Sequence, residues 1–291
     1  HVVWRLAVSG LRGGHSGNDI HLHRGNAIRL LVESLSMLAR EMNARLITLE
    51  GGSARNAIPR EAFCVVALPA AHARGLPARL EHILADWKQR LAGIDDGIQL
   101  ACEPISDSAS QTLAPRDQAA LLDFLQAAPN GVAAMSEDFP GVVETSDNLG
   151  VASLAGDACR AVFMVRSLKD EAALALADGL LGQAANHGFQ ARKVGPYPGW
   201  TPNPASPLLA LGRRVYQATF GRPARLQVIH AGLECGLLAA SHPGLDMISF
   251  GPDIRGAHAP GERVEIRSVG QCWVLHRSRS LAWVRSWCDC V

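Results

Sequence analysis

The chain has 291 residues, 48% of them hydrophobic and 19% charged, with a formal net charge of +1. That length accommodates two ordinary domains, or one large domain with part of another, and the composition is that of a globular protein with a real core. A near-neutral charge without a basic stripe excludes an electrostatic nucleic-acid binder, and no apolar run approaches the roughly 18 residues of a membrane-spanning helix.

In chain order, Val2 to Ser9 alternates loosely through Trp4, Leu6 and Val8 and reads as a strand. Residues 11–20 form a glycine-rich loop. From about Arg24 to Met42, the apolar positions Ala27, Leu31, Leu35, Leu38 and Met42 keep the 3.6 period of an amphipathic helix. Strands are expected at 45–50 and 61–68, a helix carrying Leu80, Ile83, Leu84, Trp87 and Leu91, and a strand near 97–103. This order resembles a split βαβ unit. A second set of similar order comes next, suggesting internal duplication. It has a helix near 115–128, strands near 131–136, 142–154 and 159–168, a helix over about 170–187 and a strand near 189–194. Residues 195–207 hold five prolines and no regular element, which marks a domain boundary. Ser206-Pro207 then caps a helix over about 207–220. A strand near 225–230, a helix over 234–241, strands at 246–250 and 263–266 and a final helix complete an α/β alternation. These strands are too few for a whole doubly wound sheet.

The seven cysteines are dispersed apart from Cys288 and Cys290, and no Cys-x-x-Cys pair is present. This pattern fits neither a disulfide framework nor a zinc ribbon and suits a reducing cytoplasm. The chain opens on His1 with no secretory apolar region, which reads as a processed product or part of a longer chain.

Four constellations could carry chemistry. In Gly13-Gly14-His15-Ser16-Gly17, glycines let backbone and substrate approach an imidazole that can donate to an oxyanion; a polar turn is the plainer reading. The loop Gly251-Pro252 through His258 to Glu262 leaves a predicted strand at its C-terminal end, where ligands bind in open α/β sheets, and a neutral His258 there suits zinc; alone it reads more readily as a surface or core histidine. In His230-Ala231-Gly232-Leu233-Glu234-Cys235-Gly236, Glu234 either complements a helix dipole or meets a substrate amine, and Cys235 is a packed thiol. In Glu144-Thr145-Ser146-Asp147-Asn148-Leu149-Gly150, with Arg166 beyond, the arginine can fork a carboxylate and Asn148 can add an amide donor; a turn asparagine and a solvated arginine are the alternative.

These motifs occur together with Arg55-Asn56-Ala57-Ile58-Pro59-Arg60-Glu61-Ala62 and Tyr197-Pro198-Gly199-Trp200, in one order. The set resembles the bacterial aminoacyl-histidine (Xaa-His) dipeptidases, relatives of carnosinase, from residue 1 to about 273. The resemblance implies an α/β plus α+β protein. Residues 1–195 would be a split-βαβ lid and dimerisation domain, and residues 196–291 the C-terminal part of a metallopeptidase catalytic domain. It implies hydrolysis of Xaa-His dipeptides by water activated between two zinc ions, and a cytoplasmic homodimer joined through the lid. His258 matches the last metal ligand, and His15 the lid histidine that reaches the substrate carbonyl. Asn148 and Arg166 match substrate-holding positions, and Glu234 lies in a loop beside the substrate.

The sequence departs from the family pattern in having no His-x-Asp motif and no adjacent Glu-Glu pair. With one ligand of the family set, the chain as given is expected to be inactive. After Trp273 the tail also diverges. A related metallo-exopeptidase or deacylase, and a non-catalytic dimerisation or binding module, are the alternative readings.

Overall fold

A computed structural model describes residues 1–106, 111–156, 158–195, 198–201, 203–228, 234–256 and 261–288, with side chains described as far as residue 278. The first half contains β1 (Val2–Ser9), β2 (Gly14–His15), α1 (Ala27–Met42), β3 (Arg45–Gly51), β4 (Ala57–Ile58), β5 (Ala62–Leu68), α2 (Ala70–Ala73), α3 (Leu76–Arg90) and β6 (Gln99–Ile105). Next come α4 (Pro115–Ala127), β7 (Gly131–Met135), β8 (Val143–Asp147), β9 (Leu149–Ala155), β10 (Ala158–Phe163), β11 (Arg166–Ser167) and α5 (Asp170–Asn186). The remainder has α6 (Pro207–Phe220), α7 (Glu234–Ser241), β12 (Ile254–Arg255), β13 (Arg263–Val264) and α8 (Ile266–Cys288).

The main sheet has six strands in the order β10-β9-β3-β5-β1-β6. Within it β3-β5-β1-β6 is antiparallel throughout, with β5 inserted between β1 and β3, the arrangement of a split βαβ unit. The second half adds β9 to the outer edge of β3, where Leu49 faces Leu154, and β10 to β9. A separate three-stranded sheet runs β11-β8-β7.

The helix α1 covers this sheet because its sequence is apolar on one stripe: Ile28, Leu31, Leu35 and Leu38 are all buried. Its start is fixed by Asn26, whose side chain accepts from the amides of Ile28 and Arg29. On α3, Leu76, Leu80, Ile83 and Trp87 repeat at helical spacing and are buried. Burying each such side chain contributes about 1.5–3 kcal/mol. Among the described residues, the buried hydrophobic side chains all lie between Leu6 and Ala184. By contrast α6 has no buried residue, and Leu237, Leu238, Ile266, Val269 and Trp273 are exposed.

Several expected strands do not form as drawn. The runs 142–154 and 159–168 are each two strands in two different sheets, broken at Asn148 and at Met164-Val165. Residues 189–194, and 246–250, are irregular. Alternation yields a strand only where a neighbour takes its backbone hydrogen bonds, and no described strand flanks either run. The expected strand near 225–230 is irregular over 225–228, and its end lies outside the described residues.

Candidate active site

The Gly13–Gly17 loop is held as a small ribbon. Gly14 and His15 pair antiparallel with Ile58 and Ala57, and the Ser16 amide donates to the Asn56 carbonyl. Gly13 adopts φ +62°, and a Cβ there would lie 2.1 Å from Cγ of Arg60, so only glycine fits.

This backbone orients His15, which is buried. Its Nδ1 accepts from the amides of Gly17 and Asn18, both at 3.1 Å. Two donors on Nδ1 leave no proton there, so the neutral ring carries its N–H on Nε2. Asp19 supports the turn: Oδ2 accepts from the His15 amide at 2.9 Å and pairs with Arg24 at 3.6 Å.

Arg166 reaches the same point from the other half of the chain. Its strand β11 is registered on β8, with Arg166 opposite Ser146. Its Nε donates to Ser16 Oγ at 3.3 Å, and its Nη2 lies 3.5 Å from His15 Nε2. With the imidazole proton on Nε2, that approach brings two donors together. Arg166 is buried, and burial, then the charge of Arg55, lowers its pKa. Neither arginine forms an ion pair with a carboxylate among the described residues.

Asn148 belongs to this cluster in an unexpected way. Its Nδ2 donates to the carbonyls of Ala57, at 2.9 Å, and Arg55, at 3.3 Å, while its buried Oδ1 has no partner among the described residues. The amide donor that the sequence assigned to a ligand thus holds the loop that pairs with His15. Glu234 stands apart, exposed in the first turn of α7. Burial, then Glu234, raises the Cys235 thiol pKa, as for a packed thiol. His258 lies outside the described residues, as do His230 and Tyr197.

Among the described residues no three of His, Cys, Asp and Glu come together to hold a metal. Two clefts of about 380 Å³ lie elsewhere, one beside Asn26 and Arg29 and one beside Phe220 and Arg267; His15 and Arg166 line neither. No described helix is long and apolar enough to cross a membrane. Two residues went unremarked in the sequence: Arg55, beside Arg166, and Asp147, fully buried with neither carboxylate oxygen hydrogen-bonded among the described residues. Both sit in motifs already noted, but their neighbours come from distant parts of the chain.

Residues 6–93, which include this loop, match the family described as a peptidase dimerisation domain. Over 276 residues, 94% of its length, the chain is 39% identical to the cytosol non-specific dipeptidase of Escherichia coli (strain K12), of which it covers 56%. The fold is similar to that of an aminoacylhistidine dipeptidase from Vibrio alginolyticus, with a TM-score of 0.82 and 39% identity, over 95% of this chain and 56% of that one. The chain spans a little over half the length of the two relatives.

Proposed function

We propose that this chain contributes the substrate-holding part of a metal-dependent dipeptidase that cleaves Xaa-His dipeptides. The observation that carries the reading is the convergence of His15 Nε2–H and the Arg166 guanidinium on one point, beside a loop whose own acid, Asp19, is already engaged. Two buried donors facing one place suit a negatively charged or polarised oxygen. His15 is the donor to the peptide oxygen as charge develops on it; Arg166 holds the substrate. Asn148 serves the substrate through the loop it fixes, and Glu234 is assigned a place beside the substrate by the resemblance alone.

In this reading residues 1–195 are the lid, through which two copies pair in the cytoplasm, and residues 196–291 are part of the catalytic domain. His258 is a zinc ligand there. In such enzymes two zinc ions supply an activated water. The part of this reading carried by His15, Asn148 and Arg166 is to bind and orient the substrate.

The test is an assay of the natural gene product, loaded with zinc, against Xaa-His and other dipeptides. Faster turnover of Xaa-His dipeptides is expected; equal rates on all dipeptides would remove the specific assignment. His258→Ala should abolish turnover. His15→Ala should lower kcat by about 10²–10³-fold, the typical loss of one oxyanion donor. Wild-type rates in either variant would refute that residue's role.

A further inference from the structure

Asp147 takes no part in the reaction described so far. It ends β8, is fully buried, and has no hydrogen-bond partner on either carboxylate oxygen among the described residues. A carboxylate needs water or donors; a carboxyl buried with neither keeps its proton instead. Burial accordingly pushes the Asp147 pKa up to about 7.

The charges around it do not reverse this. Arg29 of α1 pulls the other way, but its guanidinium is committed to the carbonyls of Leu125, Gln126 and Ala128 at the end of α4. Of the strands nearest to it, β7, paired with β8, and β9, which follows, carry no ionisable side chain. On the other partner strand, β11, Arg166 stands opposite Ser146 and donates to Ser16. Glu33, one turn beyond Arg29, pairs with Arg90, Glu144 pairs with Lys169, and the charge of Arg55 acts on Arg166.

The neighbour of Asp147 gives its proton a consequence. The main-chain amide of Asn148 is close enough to favour charge on the carboxyl, yet makes no hydrogen bond to it. The Asn148 side chain holds the carbonyls of Arg55 and Ala57, and Ala57 is the strand partner of His15. The Asn148 carbonyl accepts from the Met164 amide at 2.9 Å, two residues before Arg166. One residue thus ties the two donors of the site together. A carboxylate formed beside it, buried and short of donors, competes for that residue and strains both ties.

We propose that Asp147 is a proton-controlled latch on the site. With its proton on, Asn148 stays in place and His15 and Arg166 converge; loss of the proton to solvent pulls on Asn148 and opens the arrangement. The effect on turnover rests on the dipeptidase reading, whereas the change in the loop does not.

The experiment measures kcat/KM for a dipeptide between pH 5 and pH 9, at a temperature where circular dichroism shows a folded protein throughout. It uses the natural gene product and its Asp147→Asn and Asp147→Leu variants, the second of which is uncharged without adding a buried amide. Titration of the substrate and of other groups is common to all three, so the ratio of wild type to variant isolates Asp147. That ratio is expected to be flat below about pH 6 and to fall about tenfold by pH 8, since one pH unit beyond a pKa changes the protonated fraction about tenfold. A ratio that is constant across the range for either folded variant would overturn the proposal.

Hydrogen exchange of the backbone amides of residues 14–16 and 57–58, corrected for the intrinsic effect of pH, separates the latch from the enzymatic reading. If no dipeptide is cleaved at any pH, but protection falls from pH 6 to pH 8 in the wild-type protein and not in the variants, the latch stands and the dipeptidase reading falls. If dipeptides are cleaved and protection follows the same course in wild type and variants, the latch falls alone.

Discussion

Asp147 is fully buried, and neither of its carboxylate oxygens has a hydrogen-bond partner among the described residues. Burial raises its pKa to about 7, outweighing the opposite pull of the Asn148 amide and the Arg29 charge. A pKa raised on folding means that the folded state holds the proton more tightly than the unfolded chain. The stabilisation is complete below the ordinary carboxylate range and is lost as pH rises through about 7. Asp147→Asn, which keeps the shape and removes the charge, should therefore raise Tm at pH 8 and bring a smaller gain at pH 5. Thermal unfolding at the two pH values checks this, and a Tm difference independent of pH would rule it out. His15 was legible in the sequence, because the glycines around it announce a backbone shaped for something. Asp147 and the Arg55–Arg166 pairing were not: burial and charge proximity here depend on residues far apart in the chain, and no local pattern encodes them.

Among the elements, α1 shows how much a periodic pattern decides. Its apolar stripe marked the helix, and the structure begins it at Ala27, after the Asn26 cap. Asn26 also reaches across the molecule, its Nδ2 donating to the Leu149 carbonyl at 2.9 Å and to Asn130 Oδ1 at 3.2 Å. Asn26→Ala removes a cap and leaves buried groups unpaired, for a loss of about 1–3 kcal/mol, measurable by denaturant unfolding; a loss below about 0.5 kcal/mol, under the usual cost of a lost cap, would show that the cap is dispensable. Strands were less legible, because a strand is completed by its neighbour. The run through Asn148 looks continuous in sequence, yet it passes from the β11-β8-β7 sheet into the six-stranded one. Partner choice, made by β7 on one side and β3 on the other, decides the break.

At the scale of the molecule, the burial is uneven. Every buried hydrophobic side chain among the described residues falls between Leu6 and Ala184, while α7 and α8 present leucine, isoleucine and tryptophan to solvent. A region carrying its own core can fold alone. Residues 1–195 expressed by themselves should unfold in one cooperative transition, with Tm within about 5 °C of the corresponding transition in the 291-residue chain. Calorimetry of both checks this; a molten or much less stable 1–195 would show that the later helices support the core. The irregularity of the proline-rich stretch 195–207, whose described residues form no helix or strand before Pro207, was plain in the sequence, since proline restricts conformation locally. Residues 208–291 were far less legible, because their helices form but the apolar faces meet little of the described chain.

The seam between β3 and β9 has a temporal consequence. Leu49 pairs with Leu154, so a chain emerging from the ribosome completes β3 long before β9 exists. The nascent β3-β5-β1-β6 unit therefore passes through a period with the outer backbone groups of β3 open, the state in which a strand edge pairs with whatever strand it meets. Late docking of β9 is the step that closes this window, and slow translation between the two halves prolongs it.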